Sequence, residues 1–120
     1  MQVAKIIYWL TTLLVCTMML TSGIIYLVSY EMVQGDFAQW GYPAQLIYPL
    51  ASGKILGSLA ILSRQSKILK EWAYAGFFFN LFWAFYTHIS LQDGKFGFAL
   101  LGLMLCLVSY YFDKKVFTKA

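Results

Sequence analysis

Between Lys5 and Glu31 the chain runs for 25 residues without a charged side chain. A helix rises 1.5 Å per residue, so about 20 residues cross a hydrocarbon core and this run spans it with some tilt to spare. In lipid every backbone N–H and C=O must be satisfied internally, and a long apolar run does so as a helix. The run is too long for the h-region of a signal peptide, and no small-x-small cleavage site leads into a soluble domain. The remainder has the same character: 12% of the 120 residues are charged and 61% are hydrophobic. That is about half the charge of a soluble domain, and a soluble domain this small has too much surface to bury so many apolar side chains. Disorder, a nucleic-acid-binding tail and a disulfide-stapled module are excluded.

Three further spans are expected. One covers residues 45–62 and is interrupted by a single charge, Lys54. Another covers residues 70–90, and the last covers the uncharged residues 96–112, ended by Asp113. The sequences Ser63-Arg64-Gln65-Ser66-Lys67 and Gln92-Asp93-Gly94-Lys95 are short polar connections, which make consecutive helices antiparallel neighbours. The fold class is therefore all-α, an integral membrane four-helix up-down-up-down bundle forming one transmembrane domain over residues 1–120, its first span at 6–30. The longer first connection carries Asp36-Phe37-Ala38-Gln39-Trp40, read as a short interfacial helix that Asp36 caps and that its aromatics hold at headgroup level. Lys5, Arg64, Lys67, Lys70, Lys114, Lys115 and Lys119 fall on one side and Lys95 on the other. By the positive-inside rule both termini are cytoplasmic, so topology accounts for the net charge of +4 and no nucleic-acid partner is invoked.

Lys54 is the most informative residue, because a charge at the middle of a span costs about 2.5–3.5 kcal/mol or more. It shares a helix face with Ala51, Gly57 and Ser58, which points it into the bundle. It is either a buried cation that engages an anionic headgroup, a carbonyl or a proton, or a lysine that snorkels to the interface. On the third span Ala73, Gly76, Phe77, Asn80, Ala84 and Thr87 form an interior face, with Phe78, Phe82 and Phe85 towards lipid. Asn80 lies within about a turn of the depth of Lys54, where its amide oxygen can accept from the ammonium. Thr17 and Thr21, with Cys106 and Ser109 on the fourth span, are expected to complete a polar ring with Ser58, unless these side chains only bind neighbouring helices together. Gly53, Gly57, Gly76 and Gly102 read as helix-packing positions. Glu71, Trp72 and Trp40 are read as interfacial, and Tyr42 sits at the outer boundary.

His88, the only histidine, serves as a proton relay, a headgroup ligand or interfacial packing. A lone histidine makes neither a bis-imidazole haem site nor a zinc H-E-x-x-H site, and no flavin or other metal motif is present. Cys16 and Cys106 form no C-x-x-C motif and are expected about 10 Å apart in depth. No catalytic residue is identified.

The chain resembles the DoxX-like family, small four-helix bacterial membrane proteins of the DoxX and DoxD superfamily. The resemblance rests on Gly41-Tyr42-Pro43, on Gly53-Lys54-Ile55-Leu56-Gly57, on Leu69-Lys70-Glu71-Trp72-Ala73-Tyr74-Ala75-Gly76 and on His88. It implies a multi-pass protein of the bacterial inner membrane, with Tyr42, Pro43, Lys54, Glu71, Trp72 and His88 as recurrent pattern residues. Some relatives are membrane subunits of quinone-linked sulfur oxidation or thiol-stress assemblies, and distant eukaryotic ones are assembly chaperones or cargo receptors. The expected function is an accessory subunit that binds a lipophilic ligand such as a quinone around Lys54, without being an enzyme on its own. Its ligand-binding candidates are Lys54, Asn80, His88, Tyr42, Thr21, Ser58 and Ser109. The alternative is a scaffold or assembly factor that binds a membrane partner or a second copy of itself. A small-molecule exporter fits least, because the first span holds no acid before Glu31.

Overall fold

The computed structural model describes residues 2–92, 94 and 96–117. Asp93 and Lys95 of the expected polar turn, and Lys119 of the expected basic side, lie outside the described residues. The regular elements are α1 (Gln2–Val28), α2 (Tyr30–Trp40), a 3-10 turn (Ala44–Leu46), α3 (Ile47–Ser63), α4 (Lys67–Leu91) and α5 (Phe96–Phe117). α1 packs on α3 and α5, and α4 packs on the same two, so the four longer helices form a ring of neighbours. α2 and the 3-10 turn lie against α1 and α3 at one end. The longest dimension is 45 Å, close to the thickness of a bilayer with its headgroups.

Among the described residues three segments are long and apolar enough to cross a membrane: α1, residues 44–63 and α5. α4 is long enough at 25 residues, but Lys67, Lys70, Glu71, Asn80, Thr87 and His88 make it less apolar, and it falls outside that set. Large apolar side chains face outwards on all four long helices, among them Leu10, Leu14, Leu56, Phe79 and Leu101. An apolar perimeter of this extent belongs in lipid rather than water.

Local chemistry accounts for most boundaries. Ser29 separates α1 from α2, and Glu31 lies in the first turn of α2, where an acid suits the helix dipole. The short helix therefore starts well before Asp36, which is inside it and is not its cap. Gly41 ends α2 in the left-handed region with φ 83°, and the Tyr42 N–H reaches the Phe37 carbonyl at 2.8 Å, a Schellman closure. Pro49 sits in the first turn of α3, where its missing N–H leaves no hydrogen bond unmade. Ser66 caps α4 by accepting the Leu69 N–H at 3.2 Å. Asp113 does not stop the last helix, which continues for one more turn to Phe117.

Two packed clusters divide the interior. The larger holds Val15, Cys16, Met19, Ile61, Ala73, Tyr74, Phe77, Leu81 and Cys106, towards the end where α3 turns into α4. The smaller holds Val33, Phe37 and Ile47 beneath α2 at the opposite end.

Candidate functional site

Lys54 lies two turns into α3 and is buried, with 7% of its surface exposed. Its Nζ donates to Ser22 Oγ at 2.7 Å and stands 4.3 Å from the centroid of the Tyr26 ring. Ser22 and Tyr26 are four residues apart and share one face of α1. Gly23 lets that face come close: a Cβ there would meet Ile55 Cγ1 at 3.0 Å, the Ala51 carbonyl oxygen at 3.2 Å and Lys54 Cβ at 3.3 Å. The lysine stem thus runs along α1 and not across to α4, so Ser22 takes the place expected for Asn80. Among the described residues no carboxylate pairs with Lys54.

Lys54 forms part of the wall of a cavity of about 1780 Å³, together with Thr17 and Thr21 of α1, Gly53 of α3, and Gly76, Asn80 and His88 of α4. The exposed Leu56, Leu59, Trp72, Phe79 and Trp83 also line it, so it is continuous with the apolar surface between α3 and α4. That continuity explains a volume above the range of about 300–1,000 Å³ usual for ligand pockets. Trp40, Tyr42 and His88 form its end beside α2. Thr87 Oγ1 donates to the Trp83 carbonyl at 2.8 Å, which leaves the Tyr42 hydroxyl to donate to Thr87 at 2.6 Å. The Trp40 ring meets His88 edge-on at 5.7 Å and Tyr42 at 6.3 Å.

Five of the seven sequence-derived candidates, Lys54, Asn80, His88, Tyr42 and Thr21, thus border one cavity. Ser58 and Ser109 do not. Ser58 donates to the Lys54 carbonyl of its own helix at 2.8 Å and is packed against Cys16. Ser109 bonds to Thr12 at 2.6 Å and to Tyr74 at 2.7 Å. Thr12 is ten residues from Ser22 along α1, about 15 Å, so Ser109 belongs to another level. Of the four glycines, Gly57 and Gly102 lie at close approaches, where a Cβ would sit 2.8 Å from Phe77 Cε1 and 2.9 Å from Leu81 Cδ2. Gly53 and Gly76 have nothing within 4 Å of that position, because the helices part there to form the cavity.

The opposite end holds a cluster that sequence reading did not find. Asp113 is fully buried, and its Oδ1 accepts from Arg64 Nη1 and from Lys70 Nζ, both at 2.8 Å. Arg64 also donates to the Tyr8 hydroxyl at 2.5 Å. Burial disfavours the guanidinium charge, but Asp113 and Tyr8 outweigh it and hold Arg64 above its ordinary pKa. Glu71 pairs with Lys114 of α5 and accepts from the Tyr110 hydroxyl at 3.0 Å. The available signal was an acid at a helix C-terminus, where the dipole disfavours it. In the sequence alone Lys70 and Arg64 read only as orienting charges.

The Thr12–Ser109 bond also fixes the level of the cysteines. Cys16 is four residues beyond Thr12, and Cys106 is three residues before Ser109 on an antiparallel helix, so their levels differ by about 1.5 Å and not the expected 10 Å. Both are free thiols within one core cluster.

An all-helical, membrane-type protein with a cavity opening through its apolar perimeter is the class these features define. The chain belongs to the DoxX-like family, whose sequence pattern matches residues 10–111. No curated protein and no solved structure matches it.

Proposed function

We propose that this is a multi-pass protein of the bacterial inner membrane that holds a lipophilic molecule in the cavity beside Lys54, as an accessory subunit to a partner that carries the chemistry. In this reading α1, α3, α4 and α5 all cross the bilayer, up-down-up-down, with both termini in the cytoplasm. The basic residues Lys5, Arg64, Lys67, Lys70, Lys114 and Lys115 support that orientation, since all lie near the helix ends that meet at the α3–α4 turn.

The observation that carries the functional reading is Lys54, a buried cation on the wall of a cavity that is continuous with the lipid-facing surface. A charge at that depth costs free energy, and intramembrane charges usually mark ligand or ion sites. The surrounding wall is apolar, with Thr21, Tyr42, Asn80 and His88 as scattered polar groups, the composition of a site for a mainly apolar molecule. A quinone fits such a wall, since its carbonyl oxygens accept hydrogen bonds from an ammonium.

Mild extraction into nanodiscs, followed by mass spectrometry of bound lipophiles, tests the reading. A stoichiometric lipophile in the wild type, depleted in Lys54→Met while the melting temperature is kept, is the expected result. Bulk lipid alone, identical in both proteins and accompanied by a co-purifying membrane protein, would overturn it in favour of a scaffold.

A further inference from the structure

The two lysines buried among the described residues are treated differently by the fold. Lys70 has a carboxylate, Asp113, at 2.8 Å. Among the described residues Lys54 has only the Ser22 hydroxyl and the face of Tyr26, and both are uncharged. A hydroxyl and a ring take up two directions around an ammonium with three donors and leave its charge unneutralised. Buried charges in membranes ordinarily pair, and this one faces a cavity where a pairing group has room.

Resting on the proposed lipophile cavity, we infer that its occupant is a single-chain amphiphile with a carboxylate head, a long-chain fatty acid drawn from the bilayer. The carboxylate completes the ion pair that Lys54 lacks. The chain lies along the apolar wall formed by Leu56, Leu59, Phe79 and Trp83, whose exposure gives it a sideways path from the membrane. A neutral quinone accepts a hydrogen bond but leaves the cation uncompensated. A phospholipid would have to bring a bulky headgroup about 10 Å down α3 and strip it of water, against few polar partners. A carboxylate has only two oxygens to satisfy, and it delivers one negative charge to one positive charge.

The test uses the full-length protein in phosphatidylcholine nanodiscs, titrated with palmitate, with methyl palmitate and with a ubiquinone, and read by native mass spectrometry. We expect one palmitate per chain, bound about ten- to a hundredfold more tightly than its methyl ester, the range for hydrogen bonds to a charged group. Lys54→Met should abolish that preference, and Lys54→Arg, which keeps the charge, should retain it. Equal binding of acid and ester, or a preference that survives in Lys54→Met, would overturn the fatty-acid assignment and leave the cavity reading intact. Ubiquinone binding that palmitate fails to displace would do the same. Binding of none of the three would remove both.

Discussion

The two ends of the molecule handle buried charge in opposite ways. Where α3 turns into α4, the cations Arg64, Lys70 and Lys114 meet the acids Asp113 and Glu71, and three of the long helices are tied together through side chains. Just inside that network, Ser109 bonds to both Thr12 and Tyr74 and the core cluster closes around the two cysteines. Towards the other end the helices part, Gly53 and Gly76 face open space, and Lys54 is held by one hydroxyl and one ring. A helical ring clamped at one end can leave the other open without losing its register. The ion network and the hydroxyls of Thr12, Tyr74 and Ser109 thus lie off the cavity wall, whereas Met19, Ala73, Phe77 and Leu81 of the core cluster also border it.

The largest effect that would break this comparison is expected from Asp113→Ala. It leaves Lys70 and Arg64 without their shared carboxylate, and breaking such a buried pair costs about 3–5 kcal/mol. Thermal unfolding in nanodiscs should show the loss; an unchanged melting curve would mean that the ion network does not hold that end together. Lys54→Met is the counterpart, since it removes a buried charge with no acid partner. Its melting temperature should stay the same or rise. A marked drop would place Lys54 among the structural residues. The glycines sharpen the contrast further. Gly57→Val should cost about 1–3 kcal/mol through overpacking against Phe77, whereas Gly53→Ala should gain up to about 1 kcal/mol of helix propensity. Equal effects in chemical denaturation would show that the helices approach as closely at Gly53 as at Gly57. The smallest change belongs to Thr12→Val, which deletes one interhelical hydrogen bond worth about 0.6 kcal/mol. A loss several times larger would make the hydroxyl trio a second clamp.

The helices were legible because each announces itself alone. The apolar runs at 45–62 and 96–112 became α3 and α5; of the face expected on α4, Ala73, Phe77 and Thr87 are buried, Asn80 and Ala84 are half-buried and Gly76 is exposed, and Gly102, Cys106 and Ser109 of α5 are buried. What one helix cannot reveal is its register against the next. Asp113 was read as a stop because its cations, Arg64 and Lys70, are 49 and 43 residues away in sequence. With its charge paired, the helix runs on. The same ignorance of register misplaced Cys106 relative to Cys16 and drew Ser109 towards Lys54. Asn80 was expected to bond the lysine because α3 and α4 form the obvious hairpin, but Gly23 brings α1 closer to Lys54. The cavity was approachable from sequence only as a set of polar residues at similar depth, since a void arises where helices part and has no residue of its own.

The ion network also bears on how the chain enters its membrane. Insertion machinery weighs the lysines and arginines near the ends of spans and gives little weight to acids, so under the proposed orientation Asp113 and Glu71 would leave that signal intact during synthesis. In the assembled fold Arg64 and Lys70 turn inwards to Asp113 and Lys114 pairs with Glu71 at the surface, while Lys5, Lys67 and Lys115 remain exposed to the anionic leaflet of the proposed orientation. Part of the positive charge that would steer the nascent chain is thereby paired within the fold. Under the proposed orientation the same side chains would act first as a compass and afterwards as a lock.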